Sequence, residues 1–107
     1  MVKYTNERVN KLLRKYLKKV KKNFRVDKSV LFGSRARGDY FLDSDIDLII
    51  VSPDFENIPF RERMIRLLEW WNESIDLEVF GYTPKEFEKK KKQMSIVRQA
   101  MKEGIEI

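Results

Sequence analysis

Residues 45–51 read Asp-Ile-Asp-Leu-Ile-Ile-Val, and this alternation limits what the chain can become. In a strand, successive side chains point to opposite faces. Ile46, Leu48 and Ile50 therefore share one face, and Asp45 and Asp47 share the other. Asp is depleted in strands, and a run this apolar belongs inside a sheet. Two like charges on such a strand repel unless a cation joins them. Their Cα atoms fall about 6.6 Å apart, so they can share one cation or hold two that lie about 3.5–4 Å apart. An exposed acidic strand face is the plainer alternative, because Asp-x-Asp alone is common.

Upstream stands Leu31-Phe32-Gly33-Ser34-Arg35-Ala36-Arg37-Gly38. A strand that stops at Gly33-Ser34 and opens into a short helical turn aims unpaired backbone N–H groups outward, a ready anion site. Gly33 lets a phosphate approach the backbone closely. The Ser34 hydroxyl can donate to a phosphate oxygen, and Arg35 or Arg37 can add a charge-assisted fork. A lone Gly-Ser turn with solvated arginines is the commoner meaning of such a pair.

The chain contains no cysteine and no histidine. Disulfides, thiolate nucleophiles, imidazole bases and the usual zinc ligands are excluded. Any metal must be oxygen-ligated, which points to Mg2+ or Mn2+. Acid–base work falls to carboxylates, Lys or Tyr. At 107 residues a single domain, 1–107, is expected. No apolar run approaches the ~20 residues of a membrane span, and the first residues lack the apolar core of a signal peptide. A cytoplasmic protein is expected. The Lys- and Glu-rich composition, with two Gln, fits a thermophilic source.

The net charge of +6 is unevenly spread. Residues 1–25 hold ten Lys/Arg and one acid, Glu7, a net of +9, and the remainder nets −3. The basic character belongs to the first helix, opposite its apolar stripe. It serves either solubility or, as an electrostatic surface, an acidic partner or nucleic acid; for the chain as a whole, nucleic acid is a possible but not a favoured partner. The run Lys89–Lys92 reads as a solvated helix face. Trp71 reads as core, and Trp70 lies off the stripe.

Thr5 is a plausible N-cap for a helix over about 6–22, with Val9, Leu12, Leu13, Tyr16, Leu17 and Val20 as its stripe. Strands are expected over 26–32, 45–52 and 75–80, a helical turn over 34–38, and loops over 39–44 and 53–59. A second helix over 60–73 carries Phe60, Met64, Leu67, Leu68 and Trp71. Thr83-Pro84-Lys85-Glu86 is a capping box with Pro in the first turn, starting a helix that runs to about residue 92. A last helix covers 96–102, and 105–107 can add an edge strand. The order implies an α+β (α/β two-layer) domain: a small mixed sheet of three or four strands flanked by helices. The final strand or the second helix offers a surface for a homodimer.

Gly33-Ser34, ten residues, then Asp45-x-Asp47 resembles the signature of the DNA polymerase beta-like nucleotidyltransferase superfamily. The fuller run is similar to its small branch, the minimal nucleotidyltransferases. The resemblance implies that the Gly33-Ser34 turn binds an NTP, most simply ATP, with Arg35 and Arg37 as phosphate helpers. It also implies two Mg2+ ions, or Mn2+, held by Asp45, Asp47 and a third acid on a neighbouring strand. That acid falls on Asp76, with Glu78 on the same face as the competing candidate. Asp45, Asp47 and Asp76 are then the catalytic set for in-line transfer.

Small members of this branch pair with HEPN-domain toxin proteins, which implies an antitoxin that transfers AMP to a tyrosine hydroxyl of its partner. Larger members carry extra helical domains that grip nucleic acid, and their absence from this sequence argues against a template-directed polymerase. The alternative is a non-catalytic antitoxin, or an RNA- or protein-binding module, that keeps the fold and works by docking. A chain freed from catalysis would be expected to lose some of Gly33, Ser34, Asp45, Asp47 and Asp76, and all are present.

Overall fold

The computed structural model describes residues 2–37, 45–93 and 95–107, with backbone alone for residues 2–6, Ser34 and Arg37. The elements are α1 (Val2–Asn23), β1 (Lys28–Phe32), α2 (Ser34–Arg37), β2 (Ile46–Val51), a 3-10 turn (Pro53–Phe55), α3 (Phe60–Leu68), β3 (Leu77–Tyr82), α4 (Pro84–Lys91), α5 (Ile96–Glu103) and β4 (Ile105–Glu106). The strands form one mixed sheet in the order β3-β2-β1-β4. β1 is antiparallel to β2 and β4, and β2 is parallel to β3. The fold is α+β, a small mixed sheet flanked by helices, as the sequence implies.

Strand alternation sorts the core into two clusters, one on each face of the sheet. On the first face Leu31, Ile46, Leu48, Ile50, Leu77 and Val79 pack with the α1 stripe, Val9, Leu13, Tyr16, Leu17 and Val20, and with Leu67 of α3. On the second face Val30, Phe32, Ile49, Val51 and Tyr82 pack with Phe87 of α4 and with Val97 and Ala100 of α5. The helices thus divide between both faces.

Several boundaries differ from expectation. α1 begins at Val2, so Thr5 lies inside the helix rather than capping it. α3 ends at Leu68, five residues short of the expected end, and its buried residues are Arg63 and Leu67. Phe60 and Leu68, expected in the apolar stripe, are exposed. Trp71 reaches the core from beyond the helix: its ring meets Tyr16 edge-on at 5.4 Å, and its indole N–H donates to the Ile75 carbonyl at 2.8 Å. Trp70 packs against Phe24. β3 lies two residues later than expected, because its pairing with β2 runs from Leu77 to Tyr82. The capping box of α4 is present as read. The expected loop over 39–44 and Gly38 lie outside the described residues.

Buried Arg63 joins α3 to the sheet. Its guanidinium donates to the carbonyls of Ile58 (2.7 Å) and Gly81 (3.1 Å) and to both carboxylate oxygens of Glu86 (2.6 and 3.2 Å). Such a fork fixes geometry as well as adding energy.

Candidate active site

The second face of the sheet changes character along its length. At one end β2 and β3 present Ile49, Val51, Phe80 and Tyr82, over which α4 and α5 close. At the start of both strands the same alternation brings Asp47 and Glu78 to that face, and continued one step before each strand it brings Asp45 and Asp76 there. The parallel register sets Asp47 beside Glu78. The Ile46 N–H donates to the Asp76 carbonyl at 2.8 Å, which puts Asp45 and Asp76 level one step earlier. Neighbouring strands lie about 4.8 Å apart, so the acids form two adjacent pairs. Asp45, Asp76 and Glu78 are exposed, and Asp47 is half-buried.

The turn after β1 closes against this row. Phe32 is the antiparallel partner of Asp47, and Gly33 follows it. Gly33 has φ +76°, the left-handed region that glycine enters without penalty. A Cβ there would collide with the Asp47 carboxylate. The Ala36 N–H donates to the Gly33 carbonyl at 3.1 Å and closes the turn into α2, whose backbone carries Ser34, Arg35 and Arg37. One relationship here is invisible at the level of motif: the carboxylate strand and the small-residue turn, ten residues apart in sequence, touch.

Arg35 departs from the pattern of a solvent-facing phosphate ligand. It is 1% exposed and lines a cleft of about 380 Å3 together with Val9, Leu13 and Leu17 of α1 and Ile105 of β4. These α1 residues cover the first face of the sheet, opposite the acids.

The residues present suit a divalent metal in their donor chemistry. The donors are all carboxylate oxygens, the hard set that Mg2+ and Mn2+ take. Asp47 is held at a glycine cradle, with Glu78 of β3 level with it and Asp76, just before β3, level with Asp45. Among the described residues, however, no three acidic side chains are gathered closely enough to hold a cation in this side-chain arrangement. The donor chemistry and strand register suit the group.

A mixed sheet carrying paired acids against a Gly-Ser turn is the frame of a nucleotidyltransferase. The chain belongs to that family: the model described as nucleotidyltransferase domain matches residues 13–107. Among its relatives, the protein adenylyltransferase MntA of Thermococcus cleftensis is 33% identical over 79 residues, covering 74% of this chain and 77% of the relative. A Methanocaldococcus jannaschii protein, provisionally named a protein adenylyltransferase, is 36% identical over 81 residues, covering 76% of this chain and 80% of the relative. The fold also matches a crystal structure from Sulfolobus solfataricus, provisionally assigned as a nucleotidyltransferase. The TM-score is 0.71 with 24% identity, over 98% of this chain and 84% of that one. Among the described residues, no helix is long and apolar enough to cross a membrane.

Proposed function

We propose that this chain transfers AMP from ATP to a hydroxyl group of a partner protein, using Mg2+, or Mn2+ in its place, held by Asp45, Asp47 and Asp76. The observation that carries this is the row of acids on β2 and β3 set against the Gly33 turn. Support for a protein acceptor comes from the relatives named for protein adenylylation. When bound, the metal supplies charge neutralisation for the triphosphate and the departing pyrophosphate.

The residues of the chain divide the remaining work. Gly33 and Ser34 hold the β- and γ-phosphates. Arg35, buried beside α1, holds the turn in place, and Arg37 is the proposed direct phosphate contact. Asp76 accepts the proton of the acceptor hydroxyl as its oxygen bonds to the α-phosphorus. The bond from that phosphorus to the bridging oxygen breaks, and pyrophosphate leaves. The resemblance drawn from the sequence makes a HEPN-domain toxin and its tyrosine the candidate acceptor, with this chain as its antitoxin.

The test incubates the chain with α-labelled ATP, Mg2+ and the HEPN-domain protein. Label is expected on the partner, and Asp45→Ala with Asp47→Ala removes it. Label that persists in the double variant overturns the metal assignment. A stable complex with no labelling by the unaltered chain favours neutralisation by docking instead.

A further inference from the structure

α1 carries a second surface that catalysis leaves unused. Its apolar stripe is fully engaged: Val9, Leu13, Tyr16, Leu17 and Val20 are each at most 4% exposed, against the first face of the sheet. At 100° per residue, Lys11, Lys15, Lys18 and Lys22 fall on the opposite side in one continuous line, bordered by Arg14 and Lys21. All six are exposed. None forms an ion pair within the described residues, although 17 acids are present in the chain. The line from Lys11 to Lys22 is about 17 Å long at 1.5 Å per residue.

We infer that this face of α1 binds the phosphate backbone of a nucleic acid without reading its sequence. Charge placement is the first ground. A solubilising surface needs no concentration of charge, yet residues 1–25 net +9 while the rest of the chain nets −3. The character of the line is the second. It contains no exposed aromatic or aliphatic side chain. A protein interface draws most of its energy from such anchors, whereas a phosphate backbone needs only cations. Insertion of α1 into a bilayer is ruled out, because the apolar face that would enter it is buried in the fold. Duplex nucleic acid carries one charge per about 1.7 Å of its axis, so a 17 Å line of lysines meets phosphates along its whole length.

The position of α1 gives this surface independence. It covers the sheet face of Ile46, Leu48 and Ile50, whereas Asp45 and Asp47 point the other way. A nucleic acid on α1 leaves the row of acids open, and its binding does not depend on the transferase reaction proposed above.

The experiment measures binding of short labelled RNA and DNA duplexes of unrelated sequence across a salt series. Binding of either duplex, insensitive to sequence, is expected, with a log–log salt slope near about −3.6 for four phosphate contacts. Substituting Lys11, Lys15, Lys18 and Lys22 by Gln should weaken binding at least about tenfold at low salt and flatten the slope. Arginine at the same four positions should retain it, and circular dichroism should show both variants folded. A charge-matched control replaces Lys85, Lys89, Lys90 and Lys92 by Gln on α4 and beside it, and should bind as the unaltered chain does. The inference fails if the unaltered chain binds neither duplex at low salt, or if the Gln variant of α1 binds equally well. It fails too if the α4 control loses as much. Equal competition by polyglutamate at matched charge would assign the surface to an acidic protein instead.

Discussion

The Asp47 carboxylate lies over the backbone of Gly33, its Cγ 3.2 Å from the point a Cβ on residue 33 would occupy. Two elements that lie apart in the sequence are thereby brought into contact. Gly33→Ala is expected to cost about 1–2 kcal/mol from the left-handed φ alone, with a further cost from displacing the carboxylate. With Asp47 as the metal ligand proposed above, AMP transfer should fall at least about tenfold. Denaturant unfolding and labelling measured on the same variant separate the two effects.

Asp76 and Glu78 make different predictions although they share a face. With Asp76 as proton acceptor and metal ligand, Asp76→Asn should lower transfer at least about a hundredfold. Glu78→Gln should keep most of the activity. Steady-state rates with ATP and the acceptor protein check the pair, and the reverse ranking would move both roles to Glu78.

The Arg63–Glu86 fork ties α3 to the capping box of α4. Arg63→Met leaves the Ile58 and Gly81 carbonyls without this donor, a loss of about 3 kcal/mol after discounting for the partly exposed Glu86 carboxylate. Urea denaturation measures it.

The same pair sets an acid limit. The Arg63 hydrogen bond, ahead of the Thr83 contacts, holds Glu86 below the usual carboxylate range. A lowered folded pKa means that stability is fully present above the unfolded value of about 4.3 and is lost as pH falls below it. Unfolding measured between neutral and acid pH should show this loss, and Glu86→Gln should flatten that part of the curve.

Tyr16 donates its buried hydroxyl to the Leu67 carbonyl at 2.6 Å. Tyr16→Phe should cost about 1–2 kcal/mol in thermal unfolding by leaving that carbonyl unsatisfied. Burial raises the phenol pKa, so its stabilisation is complete below the unfolded value of about 10 and fades as pH rises past it. The Phe variant should lack that alkaline loss.

Much of the fold was legible because it is written in local periodicity. The α1 stripe, the alternation of β2 and the Thr83–Glu86 capping box each depend on neighbours within one turn or one pleat, and each is found. α3 was misread for a contrasting reason. Its apolar pattern continues to Trp71, but beside Leu67 the residue buried under α3 is Arg63, whose partners sit at Ile58, Gly81 and Glu86. A buried guanidinium is recognisable only once its acceptors are in place. β3 shifted by two residues because pairing with β2, rather than its own propensity, sets its limits.

The sequence by itself determined the chemistry available to this protein: oxygen donors only, two of them on one strand face, a glycine before a serine, and a first helix with its cations opposite its apolar side. These follow from composition and from the 2.0 and 3.6 periods of strand and helix. Tertiary structure alone decided what those residues face. Parallel pairing set Asp47 beside Glu78, the turn brought Gly33 under Asp47, and Arg35 was buried on the face away from the acids. Strand register and helix docking are long-range choices, made where the summed burial of two apolar faces is greatest, and no single segment carries them.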